Sequence, residues 1–129
     1  MKPISKPTIF VVEDNLLYQH LIAKELEAVK GDIHFFTNGE ACIDELHKNP
    51  SVIILDYNLD GKINGLDTLQ FVRKRKPGIP AILFSSQRGI YSKENLLRYG
   101  YFDFIEKCEH SFQVLRQMIQ RKLRIPSFA

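Results

Sequence analysis

The chain has 129 residues, 44% of them hydrophobic and 26% charged, with a formal net charge of +3 at pH 7. That length suits one domain, and the apolar content is enough to offset the entropy lost on folding, which excludes a disordered chain. The charge excess is too thin for a nucleic-acid footprint, so Arg116, Arg121, Lys122 and Arg124 read as a solvated helix face.

Thr8-Ile9-Phe10-Val11-Val12 is a nearly continuous apolar run, the pattern of a strand buried on both faces, and it stops at Glu13-Asp14-Asn15. Ile22, Leu26 and Val29 then recur at i, i+4 and i+7 on one helical face, with Gly31 as the stop. Ile33 to Phe36 reads as a second strand, and Thr37-Asn38-Gly39 as the turn into a second helix carrying Ala41, Cys42, Ile43 and Leu46. Asn49-Pro50 breaks that helix. A third apolar strand, Val52-Ile53-Ile54-Leu55, again ends on an acid, Asp56. A loop from Tyr57 to Gly65 precedes a third helix with Leu66, Leu69 and Val72, closed by Arg73-Lys74-Arg75-Lys76 before Pro77-Gly78. Those cations suit the negative end of a helix dipole and read as capping and solvation. Pro80 opens a fourth strand, Ala81-Ile82-Leu83-Phe84, which finishes at Ser85-Ser86. A polar stretch and a short helix lead to Gly100. A fifth strand around Phe102 to Ile105 ends near Lys107, and Phe112, Leu115, Ile119 and Leu123 mark the last helix.

Five short strands alternating with five helices predict an α/β fold, a doubly wound parallel sheet with helices on both faces. Right-handed crossovers leave few topologies, and the flavodoxin-like (βα)5 order 2-1-3-4-5 is the one expected. No repeat or linker divides the chain, so residues 1–129 are expected to form a single domain with its core at about 8–123. The two cysteines, Cys42 and Cys108, and the four histidines, His20, His34, His47 and His110, are scattered and fit neither a disulfide framework nor a zinc site. No apolar run reaches membrane-span length and the first residues lack a signal-peptide core, so a cytoplasmic location is expected, without membrane contact.

In open α/β sheets, ligands bind beyond the carboxyl ends of the strands, where the strand order reverses. Here strand one ends in Glu13 and Asp14, strand three in Asp56, strand four in Ser85, and strand five leads to Lys107. The first and third strands are neighbours in the expected order, which brings three carboxylates together. Such a cluster either takes up protons or binds a cation, and Mg²⁺ suits oxygen ligands of this kind. A helix cap at Asp14 or a turn at Asp56 would explain either acid alone. Capping explains the set, with its hydroxyl and lysine, far less well. Asp56 is then a nucleophile toward phosphorus, with Ser85 and Lys107 placed to hold phosphoryl oxygens. No general base is needed, since a carboxylate is already ionised at neutral pH.

Phe10-Val11-Val12-Glu13-Asp14-Asn15, Ile54-Leu55-Asp56-Tyr57-Asn58-Leu59, Leu83-Phe84-Ser85-Ser86 and Gly100-Tyr101-Phe102-Asp103-Phe104-Ile105-Glu106-Lys107 together resemble the receiver domain of bacterial two-component response regulators, from about Thr8 to Leu123. The resemblance implies that a sensor histidine kinase or histidine phosphotransferase phosphorylates Asp56, giving a 4-aspartylphosphate. It implies Mg²⁺ on Asp14 and Asp56 directly, on Glu13 largely through water, and on the backbone carbonyl of Asn58. Phe104 matches the family's aromatic switch position, lacking the tyrosine hydroxyl. Two departures stand out. Asp60 replaces the family's proline, and Gly65 arrives one residue late, so the loop of Asp60-Gly61-Lys62-Ile63-Asn64 is lengthened and is expected to bulge, near the partner kinase, with the site intact. Cys108 replaces the proline that follows the family's lysine in a cis peptide. A non-proline cis bond costs about 2.5–4 kcal/mol, so trans is expected.

The chief expectation is a phosphorylation-switched interaction module, not an enzyme, acting as a monomer or weak dimer. A haloacid-dehalogenase-like phosphatase would need an acid two residues past the nucleophile, where Asn58 stands. A flavin carrier would need a Ser/Thr/Gly-rich phosphate loop where Glu13 and Asp14 stand. The last residues, Ile125-Pro126-Ser127-Phe128-Ala129, leave no room for an output domain within this sequence, which reads as a stand-alone receiver or a piece of a longer protein.

Overall fold

The computed structural model describes residues 6–124; the sequence readings at 1–5 and 125–129 lie outside the described residues. The strands are β1 (Thr8–Val12), β2 (Asp32–Phe36), β3 (Val52–Leu55), β4 (Ala81–Ser85) and β5 (Asp103–Glu106). The helices are α1 (Leu16–Glu25), α2 (Gly39–Asp44), α3 (Gly65–Arg75), α4 (Lys93–Tyr99) and α5 (Ser111–Lys122). All five strands are parallel, in the order β2-β1-β3-β4-β5. The doubly wound parallel sheet is the one expected from the alternation of elements, and its order is the flavodoxin-like one.

The apolar runs alternate between two cores, because successive strand side chains point to opposite faces. Phe10, Val12, Ile53, Leu55 and Leu83 face one way and join Cys42 of α2, Leu66, Leu69 and Val72 of α3, and Leu96 of α4. Ile9, Val11, Ile54, Ile82 and Phe84 face the other and join Ile22 of α1 with Leu115 and Ile119 of α5. Burying each such aliphatic side chain contributes about 1.5–3 kcal/mol, so the central strands β1, β3 and β4 dominate the stability of the sheet.

Several local readings need correction. The helix read through Val29 stops being α-helical at Glu25 and tightens into a 3-10 turn at Leu26–Ala28. Gly31 is not its left-handed stop: a Cβ there would lie 2.9 Å from Ile9 Cδ1, so the glycine permits close approach to β1. The second helix likewise ends early, and Leu46 sits in a 3-10 turn that closes at Asn49, whose φ of 55° is left-handed. The lengthened loop does not hang free. Asp60 bridges to Asn38, and the Lys62 amide donates to Glu40 Oε2 at 3.2 Å, tying the loop to the start of α2. Among the described residues no helix is long and apolar enough to cross a membrane.

Candidate functional site

The register of the sheet builds the site. Val12 pairs with Leu55 across β1 and β3, so the next residues, Glu13 and Asp56, leave the sheet side by side. Backbone bonds extend past the strands to fix them: Glu13 N donates to Phe36 O at 2.8 Å and Asp56 N to Val12 O at 3.0 Å. On the other side, Lys107 N donates to Ser85 O at 3.0 Å, carrying the β4–β5 ladder one step beyond Glu106. Gly65 closes the rear. Its amide donates to Tyr57 O at 2.8 Å, and a Cβ on it would lie 2.1 Å from Asp56 O, so any side chain there would push the Asp56 backbone away.

Carboxylate oxygens of Glu13, Asp14 and Asp56 all lie within 4.8 Å of one another. Lys107 Nζ reaches into the cluster, 2.5 Å from Glu13 Oε1 and 2.8 Å from Asp56 Oδ2. Backbone amides take the other oxygens: Asn15 N donates to Glu13 Oε2 at 3.1 Å and Tyr57 N to Asp56 Oδ1 at 2.7 Å. Glu13 is 1% exposed, and the Lys107 side chain only 4%, while the Asp56 side chain keeps a 9% exposed edge toward the outside. The capping alternative for Asp14 does not hold, since Asn15 caps α1 by accepting from Tyr18 N at 3.1 Å.

Burial, reinforced by the neighbouring Asp56 charge and opposed by the Lys107 hydrogen bond, pushes the Glu13 carboxyl up to about 7. For Lys107, burial disfavours the ammonium, but the hydrogen bonds to Asp56 and Glu13 outweigh it, so its proton is held more tightly than usual. Three carboxylates against one ammonium leave two uncompensated negative charges when all are ionised. A small, hard divalent cation with oxygen preference matches both that charge and that donor set, so the residues present fit Mg²⁺.

The other expected residues lie at the same rim in different settings. Ser85 is fully buried, its Oγ accepting from Gln87 N at 3.2 Å. Asn58 is exposed, and its amide donates to Gln87 Oε1 at 3.4 Å. Asn58 and Asp14 share a cavity of about 320 Å³ with Lys62 and Asp67. Phe104 is half-buried on β5, its ring stacked on Tyr91 with centroids 6.3 Å apart. The peptide after Lys107 is trans, as expected, since the described residues contain no cis bond.

Sequence reasoning missed Gln19 and Tyr18. Gln19 Nε2 donates to the Glu13 carbonyl at 2.6 Å, and the Tyr18 ring lies under the Lys107 ammonium, 4.1 Å from Nζ to centroid. Both fall in the first turn of α1, close behind the acids, and that proximity was the available signal.

A parallel 2-1-3-4-5 sheet with three carboxylates and a lysine at its carboxyl rim defines a receiver-type signalling domain. The family model of the response regulator receiver domain matches residues 9–120, and the chain belongs to that family. It is 33% identical over 129 residues to a protein-glutamate methylesterase/protein-glutamine glutaminase of Clostridium acetobutylicum, covering 95% of this chain and 37% of that protein. It is 31% identical over 106 residues to a putative NtrX-like response regulator of Rickettsia felis, covering 81% of this chain and 22% of that protein. The chain thus spans well under half the length of these relatives. Among solved structures, the signal receiver domain of a putative LuxO repressor protein from Vibrio parahaemolyticus superposes with a TM-score of 0.81 at 23% identity, covering 92% of this chain and 91% of that one. The beryllofluoride-activated DrrB receiver domain gives 0.79 at 20% identity, covering 92% and 98%. These two likenesses speak to the fold. Receiver domains bind Mg²⁺ at an acidic pocket, and Glu13, Asp14 and Asp56 form an acidic cluster of that kind here.

Proposed function

We propose that Asp56 accepts a phosphoryl group from a sensor histidine kinase or histidine phosphotransferase, and that residues 1–129 act as one receiver domain switched by that event. The observation that carries this reading is the convergence of three carboxylates and one buried ammonium on the exposed edge of Asp56. A carboxylate oxygen of Asp56 attacks phosphorus; the new O–P bond forms as the N–P bond of the donor phosphohistidine breaks, and its electron pair returns to the imidazole. Asp14 and Asp56 would hold Mg²⁺ directly, Glu13 through water, and the Asn58 backbone carbonyl would supply a further oxygen. Bound there, the ion would neutralise charge on the phosphoryl oxygens. Lys107 supplies a second positive charge, and the Ser85 hydroxyl, whose oxygen accepts from the Gln87 amide, has its own proton to donate to a phosphoryl oxygen.

The readout runs through β4 and β5. Ser85 and Phe104 lie on adjacent strands, so movement of Ser85 frees space for the Phe104 ring to turn inward and reshape the face around α4. The domain itself turns over no phosphate ester. It changes what it binds, as a cytoplasmic monomer or weak dimer, and does not contact nucleic acid. Intact-mass analysis after incubation with acetyl phosphate and Mg²⁺ tests the proposal. One phosphoryl adduct in wild type and none in Asp56→Asn supports it; equal labelling of both sinks it.

A further inference from the structure

Lys107 carries the charge that faces the phosphoryl acceptor, yet its backbone lacks the proline that follows the corresponding lysine in the resemblance given above. Cys108 stands there instead, and the peptide is trans. A lysine side chain is long and loses much rotamer freedom when fixed, so something other than the backbone must hold its ammonium in place. The carboxylates of Glu13 and Asp56 do so in part, but the proposed chemistry requires both to turn toward other ligands.

The Tyr18 ring supplies a hold that does not draw on them. Its centroid is 4.1 Å from Lys107 Nζ, within cation–π range, and the buried Phe84 ring stands further off, at 5.8 Å. Because the Lys107 side chain is almost wholly withdrawn from water, the attraction to the ring face is little screened. Tyr18 is itself braced: its ring stacks on Phe112 with centroids 6.1 Å apart, and Phe112 meets Phe84 edge to face at 5.3 Å. Gln19, the next residue, ties the same turn of α1 to the Glu13 carbonyl. The first turn of α1 is therefore fastened to the site on one side and to the core on the other.

We infer that Tyr18 is a positioning residue for Lys107, its ring face fixing the ammonium beside Asp56 in the absence of a following proline. This rests on the reading of Asp56 as phosphoryl acceptor. The test uses the full chain with Tyr18→Leu, which removes the ring, and Tyr18→Phe, which keeps its face. At saturating Mg²⁺, phosphorylation by acetyl phosphate should slow about thirty-fold in Tyr18→Leu, the scale of one desolvated cation–π contact. Tyr18→Phe should keep the wild-type rate. Independently, the Lys107 ε-methylene protons of isotopically labelled wild type should resonate upfield, shifted by the ring current. They should stay there in Tyr18→Phe and return to the ordinary position in Tyr18→Leu. Ordinary lysine shifts in wild type would overturn the inference, without any variant having to fold. So would an unchanged rate in Tyr18→Leu, or a Tyr18→Phe as slow as Tyr18→Leu. Wild type that takes up no phosphoryl group at all would instead fail the Asp56 reading, while the resonance positions still decide whether Tyr18 holds Lys107.

Discussion

At the amino rim of the sheet, Arg73 reaches from the end of α3 and donates to the carbonyls of Pro77, Ile79 and Tyr101, the residues that lead into β4 and β5. Beside it Lys122 pairs with Asp103, which also accepts from the Tyr101 hydroxyl at 2.7 Å. At the carboxyl rim, three carboxylates crowd one ammonium, and Glu13 is held against its preference to ionise. Each cation at the amino rim has carbonyl or carboxylate acceptors, whereas the carboxyl rim is left with an excess of negative charge. The difference teaches where this fold keeps its unbalanced charge: the amino rim fastens the strands, and the carboxyl rim carries a negative excess that a bound cation can relieve.

Substitutions at the two rims should therefore separate chemistry from stability. The largest effect is expected from Asp56→Asn, which should lose phosphoryl uptake completely while circular dichroism reports an unchanged fold. Next in size is the metal response. Mg²⁺ at about a hundred times its Kd should raise the unfolding free energy by about 2.7 kcal/mol. Asp14→Ala should erase most of that gain, and the exposed Glu94→Ala on α4 should leave it intact; equal losses in a denaturant titration would break the comparison. Arg73→Met should cost about 2 kcal/mol of stability, through carbonyls left without their charged donor. Its Mg²⁺ affinity, read by calorimetry, should match wild type.

A separate effect concerns pH. Glu13 has its carboxyl raised from 4.5 to about 7, so between those values the folded state binds more protons than the unfolded state. Metal-free stability should then fall as pH rises through that window and level off above it. Glu13→Gln should flatten the slope. Chemical denaturation at successive pH values in chelator checks this, and a wild-type stability that rises across the window would contradict it.

Much of this was legible in the residues. Buried parallel strands announce themselves as apolar runs, so β1, β3 and β4 could be placed nearly to the residue, and with them the acids that end the strands. What escaped detection depends on contacts between distant segments. Arg73-Lys74-Arg75-Lys76 reads as helix capping and solvation, but only the fold shows Arg73 turning back toward Tyr101, and Lys76 donating to Asn49 Oδ1 at 2.8 Å. Arg116, read as part of a solvated face, pairs with Glu25 at 2.9 Å across to α1. Tyr18 drew no reading, because its nearness to the acids in the chain does not say that a lysine just past β5 will lie over its ring. The 3-10 turns at Leu26–Ala28 and Leu46–Lys48 keep the helical spacing of their apolar residues, so periodicity could not tell them from the helices they end.

The central claim is that Asp56, among all the acids of the chain, is the one that carries the phosphoryl group. Borohydride reduces an acyl phosphate to the alcohol, so treatment of the phosphorylated protein followed by peptide mapping marks the acceptor covalently. The account predicts homoserine at position 56, formed only when phosphodonor and Mg²⁺ are both present. Homoserine at another aspartate, or a phosphoryl adduct that borohydride leaves untouched, would contradict it.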